Sequence, residues 1–580
     1  MNGRTLWYAL SLIVIVAMLS ACVQPAPAPA PAPAAPQATE APKAAAPAAP
    51  AAPAAKALPA DAAKEQVLRI ATGSSGSASF DFFPMRGGSD NETWMPLLYM
   101  PPMYFDEAFK ELKPGVFISW ESNKEFTVWT FKLDPKAKFS DNSPITAQET
   151  KLTWEIMTNP KLDPPHGRIA SYISNVKGFQ DLRDGKATEM AGLKAVDDRT
   201  LEVTLDKPDP LFAFRIGTTH MNPIKASQAK ANLKEFWLPA NKPVFSGPYM
   251  LSAFNPDTKE ATFVKNPNWW KDEGPYLDKI EFKFVPDAET IATMFQNNQI
   301  DVALTSVSLA LKPKYPDLFR PVKAIGFNMF WIRPGAEPTD DVNVRKALVL
   351  AVNHEEMMKA AFPEGDYNKT TQFIDPDLPC KATESFFQYN VEEAKKALAA
   401  SKYGSADKLP KLRVTPRGNW PPMNRALEYA MESWRKNLGI TNIEFKQQTS
   451  EWGPDQRKLN ISRDDVVVRF PDSATYLRVG IHSQGEFVKD SGDEAGPMFL
   501  GYKNAKVDQL IDQALLLPVT DPKRCELALE VQKLFMADYG VLPFGKTIAY
   551  LSARDYVKNY IKGPDRGLIE PWKIYLAAKK

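Results

Sequence analysis

The imidazoles this chain can offer to acid–base or metal chemistry are His166, His220, His354 and His482. They stand far apart in sequence, so a multi-histidine metal site would have to be gathered by the fold, and none is expected. The phosphate loop G-x-x-x-x-G-K-[ST], the metalloprotease H-E-x-x-H and the hydrolase elbow G-x-S-x-G are all missing. Gly73-Ser74-Ser75-Gly76-Ser77 lacks the glycine spacing of a dinucleotide fingerprint. The carboxylate pairs Asp197-Asp198 and Asp340-Asp341 read as turn and helix-cap residues. An enzyme is therefore not expected, nor a cofactor. What the composition does offer is thirteen tryptophans, flat apolar platforms of the kind that hold a ligand face, sugars included.

Among the three cysteines, Cys22 has the most informative surroundings. Arg4 and the fourteen residues LWYALSLIVIVAML lead into Leu19-Ser20-Ala21-Cys22. A charged start, a short apolar run and small residues before a cleavage point make a secretory signal peptide over 1–21. The run is too short for a spanning helix, which needs roughly twenty apolar residues. L-S-A-C resembles the bacterial lipobox, which makes Cys22 the expected lipidated N-terminus, tethered by two acyl chains. Residues 22–65 are then a spacer, nearly all Ala and Pro from Val23 to Lys64, with too little apolar area to offset chain entropy. Extended at ~3.1 Å per residue, it reaches on the order of 100 Å. The expected location is the cell envelope, outside the cytoplasm and anchored to the membrane. Cys380 and Cys525 either pair in that oxidising exterior or remain separate thiols.

Residues 66–580 are too many for one hydrophobic core. The whole chain carries 71 Lys and Arg against 69 Asp and Glu, and neither sign forms a long run, so nucleic acid is not an expected partner. Strand patterns occur in VLRI (67–70), EFTVWTFKL (125–133), TLEVTL (200–205) and KIEFKFV (279–285). Helical spacing runs through 343–362 behind an Asp341 cap. It recurs in 424–440, where Leu427, Ala430, Met431, Trp434 and Leu438 precede a Gly439 stop, and in 506–517 and 524–540. The mixture calls for an α/β fold.

The block ELKPGVFISWESNKEFTVWTFKLDPKAKFSDNSPITAQET (111–150) resembles the signature region of extracellular solute-binding protein family 5, the peptide and nickel receptors of ABC importers. The likeness continues through AVDDRTLEVTLDKPDP, FSGPYMLSAF, VKNPNWWKDEGPYLDKIEFKFVPD, NNQIDVA, DVNVRKALVLAVNHEEM and YKNAKVDQLIDQALLL. Asn142 stands where glycine is usual, and Glu149-Thr150 replaces an Asp-Val pair. The resemblance implies a two-lobed periplasmic-binding-protein-like fold that closes by hinge motion on a ligand between its lobes. Lobe one would take 66–323 and 547–580, with a subdomain near 101–190, and lobe two 324–546.

The resemblance also implies site residues. Trp452 in TSEW matches a tryptophan lining the family's cavity, and Ser246, Gly247 and Tyr249 match a segment near the cleft. Trp331 and Arg333, after the strand opening lobe two, and Trp420 in RGNWPP are further candidates. In VVVRFPDSATYL (466–477), read straight across, Arg469 takes the place of the aspartate that receives a peptide's ammonium in many members and Asp472 falls at the second acidic position, while another gap placement matches Arg469 to an upstream arginine and deletes the Asp-bearing turn; both remove the acidic ammonium site. A guanidinium there repels an ammonium and favours an anion. Arg469 either holds such a ligand or forms a structural ion pair with Asp472 or Asp465. The expected function is capture of a peptide-like or anionic small solute for ABC permease subunits, by a monomer; the alternatives are an oligosaccharide receptor on the same fold and a sensor lipoprotein. A nickel-chelate role would have only His482 near the relevant region.

Overall fold

The computed structural model describes residues 57–72, 91–107, 109–162, 169–232, 235–285, 287–303, 312, 316, 319–322, 327–363, 365, 367–368, 370–383, 385–416, 421–446, 459–466, 470–485, 501–563 and 567–579. The lipobox cysteine Cys22 lies outside them. The body begins earlier than residue 66: Ala62 bridges Ala577, and the Ala63 amide donates to the Leu576 carbonyl at 2.8 Å. The C-terminal strand thus satisfies the end of the Ala/Pro run.

After β1 (Val67–Thr72) come a hairpin of β2 (Met103–Phe105) and β3 (Leu112–Pro114), and then β4 (Phe117–Ser122), β5 (Val128–Leu133), β6 (Leu193–Asp197) and β7 (Thr200–Thr204). β4 to β7 form an antiparallel sheet in the order β4-β5-β7-β6. The subdomain therefore extends past residue 190, because β7 sits between β5 and β6. Two departures noted in the sequence have local causes here. Asn142 has φ +69°, the left-handed conformation in which Asn is second only to Gly, and Lys138 Nζ holds its side chain at 2.8 Å. Thr146 caps helix Ala147–Thr158 by accepting from the Glu149 amide at 3.2 Å, while the Glu149 carboxylate accepts from the Ala226 amide at 2.9 Å.

β8 (Tyr249–Asn255), β9 (Glu260–Lys265), β10 (Lys279–Phe284), β11 (Val302–Ala303) and β12 (Arg320–Val322) join β1 in a seven-stranded sheet. Its order is β12-β20-β11-β1-β10-β9-β8, with β20 (Ala549–Ala553) returning from late in the chain. The sheet's largest core draws only on residues between 63 and 302 and between 551 and 576.

A second sheet, ordered β16-β15-β17-β13-β18, is built from β13 (Phe327–Ile332), β15 (Leu412–Thr415), β16 (Ile443–Phe445), β17 (Ile461–Val466) and β18 (Val541–Pro543). A short pair of β14 (Tyr367–Asn368) and β19 (Lys546–Thr547) lies beside it in sequence. Helices cover this sheet with two cores. One holds Leu348, Leu427, Ala430 and Trp434, whose indole donates to the Leu348 carbonyl at 2.8 Å. The other holds Trp331, Phe373, Leu477 and Phe535. The helical spacing of 343–362 resolves into two helices, Val342–Leu350 and His354–Ala361, because Asn353 turns the chain and caps the second by accepting from the Glu356 amide. Cys380 and Cys525 are joined by a disulfide that ties a loop to the first turn of helix Pro522–Ala537.

The largest core of each sheet is its own, while Phe109 and Ile569 reach across into the core around Trp331 and Phe373. The chain passes from one to the other between β12 and β13, and returns between β19 and β20.

Candidate functional site

Strand direction decides where a ligand can sit. β15 runs parallel to both β16 and β17, so all three end at one edge of their sheet. β13 is antiparallel to β17, with Phe327 opposite Val466, so it begins at that same edge, where the first crossing arrives. β18 is antiparallel to β13 and ends there too, at Pro543, where the second crossing departs. In the seven-stranded sheet β1, β10 and β11 are parallel, and β12 shares their direction because both β11 and β12 are antiparallel to β20. The crossings therefore leave both sheets at the carboxyl ends of their parallel strands. In open α/β sheets that edge is where ligands bind.

Of the nine candidate contact residues, Trp420, Trp452 and Arg469 lie outside the described residues. In the chain they follow β15, β16 and β17, the three strands that end at the crossing edge. Trp331 and Arg333 are instead at the opposite edge, the correction that antiparallel β13 imposes: Trp331 faces Ser462 and Val541 in register. Arg333, six positions past Phe327, is roughly 20 Å along the strand direction from the crossing edge. Trp331 meets Phe373 edge-on at 5.5 Å, and Arg333 donates to Ser462 Oγ at 3.2 and 3.0 Å. Both are buried.

Ser246, Gly247 and Tyr249 turn out to be fastenings inside the first half. Ser246 Oγ accepts from the Met100 amide at 3.2 Å and donates to the Pro223 carbonyl at 3.0 Å. The Gly247 amide donates to the Leu98 carbonyl at 2.8 Å, and a Cβ on Gly247 would lie 2.4 Å from the Leu98 carbonyl carbon. Only glycine permits that approach. Tyr249 opens β8 fully buried, and burial pushes its phenol far above its ordinary value.

Asp472 sits at the crossing edge, three residues past Arg469, and its carboxylate is occupied. Both oxygens take bidentate hydrogen bonds from Arg524, Nε and Nη2 each at 2.8 Å. One oxygen also caps helix Ser473–Ile481 by accepting from the Thr475 amide at 2.7 Å. Arg524 completes its bonding on the carbonyls of Ala514 and Leu517. The expected partner of Asp472 is a ligand or Arg469; no local pattern points to Arg524, fifty-two residues away.

Other buried charges are similarly engaged. Lys546, in β19, is buried between Asp375 at 2.6 Å and Asp377 at 2.5 Å. Asp209 pairs with Arg215 at 3.0 Å, and burial raises its carboxyl above the usual range. Among the described residues, no group of three or more His, Cys, Asp or Glu side chains is disposed to hold a metal ion.

Residues 111–487 match the family model described as bacterial extracellular solute-binding proteins, family 5 middle. The chain belongs to that family. Family 5 receptors bind solutes rather than transform them. The chain is 27% identical over 470 residues to the periplasmic oligopeptide-binding protein OppA of Salmonella typhimurium, covering 78% of this chain and 81% of that protein. Among solved structures, the unliganded open form of the periplasmic murein tripeptide binding protein MppA superposes with a TM-score of 0.71 at 21% identity, covering 89% of this chain and 98% of the other. The clavulanic acid biosynthesis oligopeptide binding protein 2 gives a TM-score of 0.76 at 18% identity, with 89% and 97% covered. The fold is the two-lobed one of family 5 periplasmic binding proteins.

Proposed function

We propose that this family 5 chain is the substrate-binding lipoprotein of an ABC importer, anchored through Cys22 outside the cytoplasm. It captures a peptide-like or anionic small solute between its lobes and presents it to membrane permease subunits as a monomer. Lobe one is assigned to about 66–323 and 547–580, lobe two to about 324–546. The observation that carries the reading is the shared edge: β15, β16 and β17 end where both crossings leave, and the chain continues from them into Trp420, Trp452 and Arg469. A peptide-like solute accords with the oligopeptide- and tripeptide-binding relatives.

The engagement of Asp472 bears on the charge of the solute. Asp472, the acidic side chain nearest Arg469 among the described residues of that segment, already serves Arg524 and a helix cap. A cationic amine would find no free carboxylate on it, whereas the guanidinium of Arg469 suits a carboxylate through paired hydrogen bonds. A thermal-shift screen of the purified chain against peptides, organic acids and sugars tests the class, with the largest upward shifts expected from carboxylate-bearing compounds. For the best hit, Arg469→Ala is expected to weaken binding on the order of ten- to a hundredfold. Full affinity in that variant would refute the anion role.

A further inference from the structure

The two lobes touch through an apolar seam. Phe470, at the start of the segment leading into helix Ser473–Ile481, is buried in one cluster with Phe105 of β2 and Leu211. Leu112 and Phe214 flank it on the lobe-one side, Leu515 and Val519 on the lobe-two side. Phe105 and Phe214 reinforce each other, with ring centroids 5.7 Å apart. The contact continues where Phe109 and Ile569 join the core of lobe two.

We infer that this seam is a closure contact: it draws the lobes together before any solute arrives, and so sets how much of a solute's binding energy is consumed in closing.

The charges around the seam show why it can open and shut. Asp209 pairs with Arg215 within lobe one, and Asp472 pairs with Arg524 within lobe two. Each lobe brings its own neutralised pair to the boundary. Parting the lobes separates neither pair, so it strands no buried charge, the event that makes a polar interface costly to break. What opening loses is mainly apolar contact, which is non-directional and scales with area, together with the weaker attraction of Asp209 for Arg524 across the boundary. Leu515 and Val519 come from the end of helix Ala505–Leu515 and the loop beyond it, not from either crossing. The seam is thus a separate device from the hinge. Because the apparent dissociation constant is the intrinsic one divided by the fraction of competent, closed molecules, a residue here changes affinity without touching solute.

The test needs no ligand. Val519 and Phe214 are partly buried and lie on opposite sides of the seam, so Val519→Glu and Phe214→Ser can be made without emptying a core. Small-angle X-ray scattering of the ligand-free full chain should give a larger radius of gyration for each variant than for wild type. The double variant should show no further increase, since either change alone releases the contact. Circular dichroism melts identify the variants that keep the native fold, and each side supplies one variant should the other fail. A folded variant whose scattering curve coincides with wild type would overturn the inference. The outcome does not depend on the solute class, so a failure here leaves the importer reading to be judged on its own screen.

Discussion

Arg524 and Asp472 show how a side chain can look like a ligand contact and be a fastening. Both are buried, and their bidentate pair holds the start of helix Ser473–Ile481 against the first turn of helix Pro522–Ala537. Removing one partner leaves the other charged and buried, so Arg524→Ala should cost about 3–5 kcal/mol in urea-unfolding stability. The double change to Arg524→Met with Asp472→Leu should cost much less, since it strands no charge. His482, at the end of the same helix, gives a pH signature. Burial, helped by the positive charge of Arg478, holds its imidazole below the ordinary value, and the nearby carboxylates Asp508 and Asp512 pull the other way. The unfolded chain takes up a proton near the ordinary histidine value of about 6.5, before the folded chain does, so stability should fall as pH drops below that point. Equilibrium unfolding between pH 7 and 5 should show the decline, and His482→Gln should flatten it. At this scale the sequence was only partly legible. The expectation for Arg469 rests on one line of residues, whereas the Arg524–Asp472 pair spans fifty-two positions that no local pattern connects.

Elements were the most legible layer where periodicity and caps agreed. The Leu427, Ala430, Met431, Trp434 and Leu438 face was readable because a 3.6-residue period has one inward stripe, and all five side chains are buried. The 343–362 pattern failed at Asn353, where a side-chain cap competes with the helix and wins although the apolar spacing runs on. β13 misled for a different reason: its strand character was evident, but its direction relative to β17 was not, and direction alone sends Trp331 and Arg333 to the edge away from the crossings. The FSGPY segment is a packing joint between β8 and helix Asn91–Leu98. Gly247→Ala should therefore lower the melting temperature by an amount equivalent to about 1–3 kcal/mol, because its methyl meets backbone that cannot rotate away. Alanine tolerated there without loss would mean that the joint is looser than its geometry.

At the scale of the molecule, the α/β class and two-lobed plan were legible because ordered motifs span most of the body, while the cleft's location was not. It emerges only from topology: two sheets, each with parallel strands ending where the chain crosses. Gly545, at φ +86°, and buried Lys546 pin the return crossing to lobe two, which leaves the bend to the short stretch between Thr547 and β20. A receptor of this build rests on one claim, that a small solute is held singly between the lobes. Native mass spectrometry of the purified chain, mixed with a panel of short peptides and organic acids, addresses it most directly. The account predicts a single adduct of one solute per chain, enriched in carboxylate-bearing compounds and lost on denaturation. A folded chain that retains no member of the panel, or takes up several indiscriminately, would contradict it.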